Sequence, residues 1–171
     1  MAGDRHTEAL AQIVLNNLEN QHDWTSATVY RQADLPRPII YGLPPKRLYV
    51  HPDEQIATIK VEKDRKERIV QLPEPEWVLP LHLAEKWSPS QFAAVFDVLD
   101  ALPPSDEDPQ AGDDSRDYDD DDDNDNDKEL AQLRLWRGPK RGKRILLATV
   151  QDDSTVTYYF MHDGLVKPRQ N

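Results

Sequence analysis

The sequence predicts a single small α/β (α+β) domain, in which a mixed β-sheet is flanked by helices and the chain ends in a C-terminal β-hairpin. Three observations support this fold class. The 171 residues suffice for one domain. Helical patterns of apolar residues alternate with short β-like runs. The stretch Arg144–Gly164 has the pattern of two strands joined by an acidic turn.

The first half of the chain predicts one helix followed by short strands. A helix is expected over Thr7–His22, with Thr7 as its N-cap. Its apolar stripe consists of Leu10, Ile13, Val14 and Leu18. Strands are expected in SATVYRQA and RPIIYGLPPKRLYVH, where nearby prolines keep them short or at an edge. The run EQIATIKVEKDRKERIVQL predicts a hairpin with KDRKER as its turn. One face of this hairpin would carry Ile56, Thr58, Lys60 and Glu62.

The second half predicts a strand around Trp77–Leu79 and a helix that begins after Ser88. Ser88 suits the N-cap, Pro89 suits the first helical position, and Gln91 can close a capping box. Pro103 stops this helix. Its buried stripe is expected to consist of Phe92, Val95, Phe96 and Leu99. A further short helix, KELAQLRLW, is expected before the final hairpin.

The charge of the chain is concentrated in one segment. Ser105–Lys128 holds 13 acidic and 2 basic residues, which account for the whole net charge of -11. Its charges repel one another and it offers little apolar area to bury, so it is predicted to be a disordered insert. The expected domain therefore consists of residues 5–104 and 129–168, with residues 105–128 as the insert.

Several function classes lack their sequence signals. The chain has no cysteine, which excludes disulfides and thiolate sites and suits a reducing compartment. No apolar run approaches the ~18–20 residues that span a bilayer, so no membrane insertion is expected. Phosphate-binding loops and the spacing of an EF-hand are missing. The five histidines have no metal-ligand spacing, so neither a metal nor a cofactor is predicted.

A basic stretch, Arg134–Arg144, precedes the hairpin and has six positive charges and two glycines. Arginine and lysine beside backbone amides suit phosphate contact. Lys140, Arg141 and Lys143 are therefore candidate RNA contacts. The alternatives are a solvated turn or an intramolecular partner for the acidic insert.

The final hairpin has an acidic tip and an aromatic second strand. Asp152, Asp153 and Ser154 form the turn. Alternation places Thr155, Thr157 and Tyr159 on one face and Val156, Tyr158 and Phe160 on the other. Sizeable side chains on both faces suit either a core strand or a strand that joins the sheet of another chain.

The segment Lys143–Pro168, KRILLATVQDDSTVTYYFMHDGLVKP, resembles the C-terminal segment of tRNA-splicing endonuclease subunits. It is most similar to the smallest structural subunit of the eukaryotic enzyme, the fifteen-kilodalton class. The close similarity covers about a sixth of the chain. Ala9–Trp24, Gly42–Pro44 and the WVLPLHL…SPSQF region fit that class more loosely.

The resemblance implies a nuclease-like α/β fold and two contact regions. In the family, the last strand pairs with the equivalent strand of a second subunit, and it maps here to Thr155, Val156, Thr157, Tyr158, Tyr159 and Phe160. An acidic loop docks into a basic pocket of the opposite dimer, and its residues match Asp152 and Asp153. A catalytic subunit is the implied partner, in a heterotetramer that removes introns from precursor tRNA.

The resemblance also implies that this chain has no catalytic residues. Catalytic members cut RNA with a tyrosine, a histidine and a lysine, without metal. Lys143 matches the lysine, but no histidine lies between His82 and His162, and Tyr118 lies within the aspartate run. General acid–base cleavage needs two groups, so we interpret the chain as non-catalytic. An active nuclease that uses Lys143 is a less favoured alternative.

A different class of function is an acidic interaction protein, similar to a histone chaperone, that binds basic partners through Asp117–Asp127. For the subunit hypothesis the implied location is the nucleus, with the cytosolic face of mitochondria as the alternative. An exposed edge strand predicts that the isolated chain forms a homodimer.

Overall fold

The computed structural model describes residues 2–104, 131, 133 and 135–164. Within them the chain forms three α-helices and five strands. In chain order these are α1 (Ala2–Gln21), β1 (Thr25–Tyr30), β2 (Ile39–Leu43), α2 (Pro52–Arg65), β3 (Glu76–His82), α3 (Pro89–Val98), β4 (Arg144–Val150) and β5 (Val156–His162). A 3-10 turn at Gly138–Lys140 precedes β4.

The five strands form one mixed sheet in the order β1-β2-β3-β4-β5. All neighbours are antiparallel except β3 and β4, which are parallel from Val78↔Leu146 to His82↔Val150. The predicted α+β class with a mixed sheet and a C-terminal hairpin is therefore confirmed. Because β3 precedes residues 105–130 and β4 follows them, the two sides of that segment contribute neighbouring strands.

Each face of the sheet packs against one of the predicted amphipathic helices. On one face, α1 buries Leu10, Val14 and Leu18 against Ile40 and Leu146. The helix starts earlier than Thr7, which lies inside it rather than at its N-cap. On the other face, the α3 stripe packs against the sheet. The residues of this second cluster that belong to α3 or its end are Phe92, Val95, Phe96, Val98 and Leu99.

The local signals for α3 are those that the sequence predicts. Ser88 is the N-cap, Pro89 occupies the first turn, and the Ser88 backbone N–H donates to Gln91 Oε1 at 2.8 Å. The predicted helix KELAQLRLW lies largely outside the described residues. Within it, Ala131 and Leu133 are helical, and Leu135 and Trp136 form a turn. The prediction for residues 105–128 also lies outside the described residues.

The prediction of a hairpin over residues 54–72 is wrong, because Pro52–Arg65 forms the helix α2. His51 caps α2 by accepting the Asp53 N–H on Nδ1 at 3.1 Å, and Lys66 ends it in the left-handed region at φ 55°. The proposed hairpin face does not exist, since Ile56 is 54% exposed. The buried line consists of Glu54, Thr58 and Val61. The spacing of apolar residues does not reveal this helix, because its buried face begins with a glutamate.

Candidate partner interface

The predicted contact strand β5 lies at an edge of the sheet and pairs with β4, from Val150↔Val156 to Arg144↔His162. The Gln151 N–H donates to Thr155 O at 2.9 Å, and the Asp163 N–H donates to Lys143 O at 3.0 Å. Hydrogen-bonded pairs alternate in an antiparallel ladder, so the odd-numbered residues of β5 bond to β4. The even-numbered residues direct their backbone N–H and C=O groups away from β4. These residues are Val156, Tyr158, Phe160 and His162.

The side chains of β5 divide between the two faces as the alternation predicts. Val156, Tyr158 and Phe160 pack against the core beneath α1. The Tyr158 hydroxyl donates to Asn17 Oδ1 at 2.6 Å, and burial raises the pKa of Tyr158. On the opposite face, the Tyr159 side chain is 58% exposed. The strand is therefore both a core strand on one face and an exposed aromatic surface on the other.

The acidic residues of the turn are held in defined orientations at the exposed tip of the hairpin. The Ser154 N–H donates to Gln151 O at 2.9 Å, and Ser154 takes the left-handed conformation at φ 65°. Asp153 Oδ1 accepts the Thr155 N–H at 2.9 Å, and this backbone hydrogen bond lowers the pKa of Asp153. Asp152 Oδ1 lies 3.0 Å from His82 Nε2, while its side chain remains 98% exposed. Both carboxylates are thus available to a cationic partner.

The basic stretch does not form the joint RNA surface that its sequence suggests. Lys140 is exposed in the 3-10 turn before β4. Arg141 is only 4% exposed, and its guanidinium donates to Ala101 O, Pro75 O and the carboxylates of Glu74 and Glu76. The alternative of a solvated turn is also wrong for Arg141, because this arginine is buried among the residues that precede and begin β3.

Arg141 belongs to a cluster of buried and half-buried charges beside the sheet. Its members are Arg47, Arg137, Arg141, Arg144, Glu54, Glu74 and Glu76. Burial alone would raise the pKa of Glu74, but Arg141, Arg47 and Arg144 hold it below its usual value. Glu54 accepts two hydrogen bonds from Arg47, at 2.6 and 2.9 Å, which attaches α2 to the segment before it. Breaking such a buried pair leaves an uncompensated charge, so the cluster fixes local structure.

Lys143 serves the end of a helix in this structure. Its Nζ donates to Phe96 O at 2.8 Å, one of the last carbonyls of α3. Lysine at this end of a helix also interacts favourably with the helix dipole. Strand alternation places Lys143 on the face of Ile145, whereas His162 lies opposite Arg144 on the other face. Lys143 and His162 nevertheless line the same pocket, beside His51 and Trp136, while the Lys143 ammonium is bound to the end of α3.

Two further observations concern metal ions and membranes. There, no group of three or more histidine, aspartate or glutamate side chains is placed to hold a metal ion. Over the same residues, none of the helices has the length and apolarity that crossing a membrane requires.

The described residues define a small α+β domain whose C-terminal strand has an outward-facing edge. The family model described as "Sen15 protein" matches residues 13–110 and 127–171, and it leaves out the aspartate-rich residues between them. The chain belongs to this family. It is also 64% identical to the "Probable tRNA-splicing endonuclease subunit tsp-1" of Neurospora crassa, over 171 residues that cover all of this chain and 70% of that protein. The family resemblance of the C-terminal segment is therefore confirmed.

Sequence reasoning found the hairpin and its turn but missed His82. The predicted strand Trp77–Leu79 stops short of His82, which is the last residue of β3 in the structure. His82 comes close to Asp152 because β3 and β4 are parallel neighbours, so that the C-terminal end of β3 lies beside the turn that follows β4. Parallel pairing across an insert leaves no local mark in the sequence.

Proposed function

We propose that this chain is a non-catalytic structural subunit of a tRNA-splicing endonuclease and that it pairs with a catalytic subunit through β5. The observation that carries the proposal is the outward-facing edge of β5, with Tyr159 exposed beside it. An added strand would gain backbone hydrogen bonds along this edge and aromatic contact area. The Neurospora relative supports the enzyme assignment through its printed name, which is that of an endonuclease subunit.

The acidic turn provides the second contact of the proposed subunit. Asp152 and Asp153 would dock into a basic pocket on the opposite dimer and so join two dimers into a heterotetramer. Opposite charges at such a contact give orientation and specificity more than raw affinity. The contact of this chain with precursor tRNA would then be indirect, through the assembled enzyme.

The non-catalytic part of the proposal is supported by Lys143. Its Nζ is already bonded to Phe96 O at the end of α3, so this ammonium serves the fold, although Lys143 and His162 line the same pocket. Acid–base cleavage of RNA needs two groups that reach the same phosphate. By the same family implication we place the protein in the nucleus, with the cytosolic face of mitochondria as the alternative.

The test is the molar mass of the chain mixed with the catalytic subunit, measured by light scattering. We expect a one-to-one complex for the wild type and separate subunits for Tyr159→Lys, because the new charge replaces exposed aromatic area at the contact. The matched control is Leu72→Lys, since Leu72 is 64% exposed but lies before β3. A complex that survives Tyr159→Lys and also Tyr158→Lys/Phe160→Lys, in folded protein, would contradict pairing through β5. For the isolated wild-type chain we expect a homodimer.

A further inference from the structure

A groove of about 370 Å³ lies beside the acidic turn, between the turn and the segment that follows β3. Its lining consists of His82, Leu83, Ala84, Gln151, Asp152 and Asp153. The two walls are joined at their base, because the Leu83 N–H donates to Val150 O at 2.9 Å. The groove is therefore a fixed feature of the place where β3 and β4 end.

Leu83 gives this groove an exposed apolar wall. Its side chain is 61% exposed although its backbone is anchored to β4. A single exposed leucine is ordinary on a protein surface. This leucine, however, lies across a groove from two exposed carboxylates, so one partner surface can contact both.

His82 connects the carboxylate of Asp152 to the sheet. The Ala84 N–H donates to His82 Nδ1 at 3.2 Å, so the neutral ring carries its proton on Nε2 and directs it to Asp152 Oδ1 at 3.0 Å. The His82 backbone N–H in turn donates to Glu85 Oε1 at 2.9 Å. Glu85 is paired with the Arg37 guanidinium. The orientation of Asp152 thus depends on residues about 70 positions earlier in the chain.

We propose that the docking surface of this chain has two segments, Asp152–Asp153 and His82–Ala84, and that when the turn enters the basic pocket of the opposite dimer, the groove between the segments takes up the rim of that pocket, which carries a cationic side chain beside an apolar one. Leu83 is the apolar contact, and His82 is a positioning residue for Asp152. The proposal rests on the docking role of the acidic turn given above.

The charges of the surface select this occupant. The hydrogen bond from Thr155 favours the ionised form of Asp153, and the Asp152 side chain is almost fully exposed, so the turn attracts a cation. The leucine favours an apolar group at a fixed distance from that cation. A surface that is held in its bound geometry before contact loses less conformational entropy on binding.

The experiment uses the complete endonuclease, assembled from full-length subunits, and follows dissociation of the two dimers after dilution. We expect Leu83→Ser to raise the dissociation rate about tenfold, the effect of losing one buried aliphatic contact. Leu83→Gln, which retains most of the side-chain volume, should have a similar effect. Leu72→Ser is the control, because it removes an equally exposed leucine elsewhere.

A second pair of variants tests His82. We expect His82→Phe to slow association of the dimers by a fewfold, because Asp152 loses its donor. His82→Gln supplies an amide donor and should restore the rate. The unfolding free energy of each variant is measured alongside, because a purely structural role for His82 would change the stability of the chain and leave the association rate unaltered.

The outcomes separate this inference from the proposed function. If Asp152→Lys/Asp153→Lys prevents tetramer formation while both Leu83 variants behave as the wild type, the two-segment surface is wrong and the docking role of the turn stands. If the lysine variant leaves the tetramer intact, the docking role itself is wrong, and this inference falls with it.

Discussion

Glu85 accepts hydrogen bonds from three neighbours, the Arg37 guanidinium, the His82 backbone N–H and the Trp87 indole N–H. Arg37 also lies over the Trp87 ring at 4.9 Å. Burial alone would raise the pKa of Glu85, but its hydrogen bonds, with that from Arg37 foremost, lower it from 4.5 to about 2. This one carboxylate therefore holds the segment between β3 and α3 in place.

We expect Glu85→Gln to lower the free energy of unfolding at pH 7 by about 1–2 kcal/mol, the range for a partly exposed, charge-assisted hydrogen bond. Because the pKa of Glu85 is lower in the folded than in the unfolded chain, its charge stabilises the fold fully at pH values above the unfolded pKa of about 4.5. This stabilisation is lost as the pH falls from there through the folded pKa of about 2. Urea denaturation of the wild type and of Glu85→Gln should therefore show that the difference in their free energies of unfolding decreases between pH 7 and pH 2.5. Glu67→Gln, at an exposed position, is the control. A difference that does not vary with pH would contradict this role of the charge.

The resemblance matches Lys143 to the lysine that catalytic subunits use, and its Nζ bonds Phe96 O in this structure. We expect Lys143→Met to lower the free energy of unfolding by about 1 kcal/mol, the usual value of one hydrogen bond. The rate at which the assembled endonuclease cleaves precursor tRNA should not change. Lys140→Met, at an exposed neighbour, should alter neither quantity. Loss of cleavage by an intact Lys143→Met complex would revive the catalytic hypothesis.

At the scale of elements, β5 is distinguished by the direction of its backbone groups. Thr157 forms a hydrogen-bonded pair with Thr149, whereas the N–H of its neighbour Val156 is directed outward. Proline removes one backbone N–H and is tolerated in a sheet only where that N–H is not needed. Proline substitutions made singly at these two adjacent positions can therefore distinguish an effect on association from an effect on folding.

We expect Val156→Pro to fold and to pair poorly with the catalytic subunit, because it removes an outward donor at the first residue of β5. Thr157→Pro should instead lower the free energy of unfolding by about 1–3 kcal/mol, because it removes a bond to β4. Circular dichroism melts and light scattering measure the two effects. Undiminished pairing by Val156→Pro would show that this part of the edge is not used.

At the scale of the whole molecule, the acidic insert separates α3 from β4 in the sequence. The family model has no counterpart for residues 111–126, although it matches both sides. Ser105–Lys128 carries the entire net charge of -11. We therefore treat the insert as separable from the fold and from the proposed interface, which is a prediction.

We expect replacement of Ser105–Lys128 by a short Gly-Ser linker to preserve folding and assembly into the endonuclease. The free energy of unfolding should change by only about 0.6 kcal/mol for each halving of the loop. The same deletion tests the acidic-interaction hypothesis, since binding to histones at low salt would disappear with the insert. Suppose that the wild type binds histones and that the deletion abolishes both this binding and assembly into the endonuclease. This result would favour the acidic interaction protein over the subunit role.

Elements with local signals could be predicted from the sequence. The stripe of α1, the cap and stripe of α3 and the hairpin with its acidic turn follow from side-chain spacing over a few residues, and the structure contains all of them. The family followed from the residues of that hairpin. Periodicity identifies such elements because each buries one face of its own.

Features that depend on distant partners became visible only in the folded chain. The buried line of α2 can begin with Glu54 because this carboxylate meets Arg47 and Arg137. Arg141 is buried because Glu74 and Glu76 neutralise it, so it is no surface contact. The pair of His82 and Asp152 forms only when β3 and β4 lie in parallel. In each case the position of a polar or charged side chain depends on an opposite charge or a hydrogen-bond partner that is distant in the sequence. Such a partner produces no periodic pattern in the sequence around that side chain.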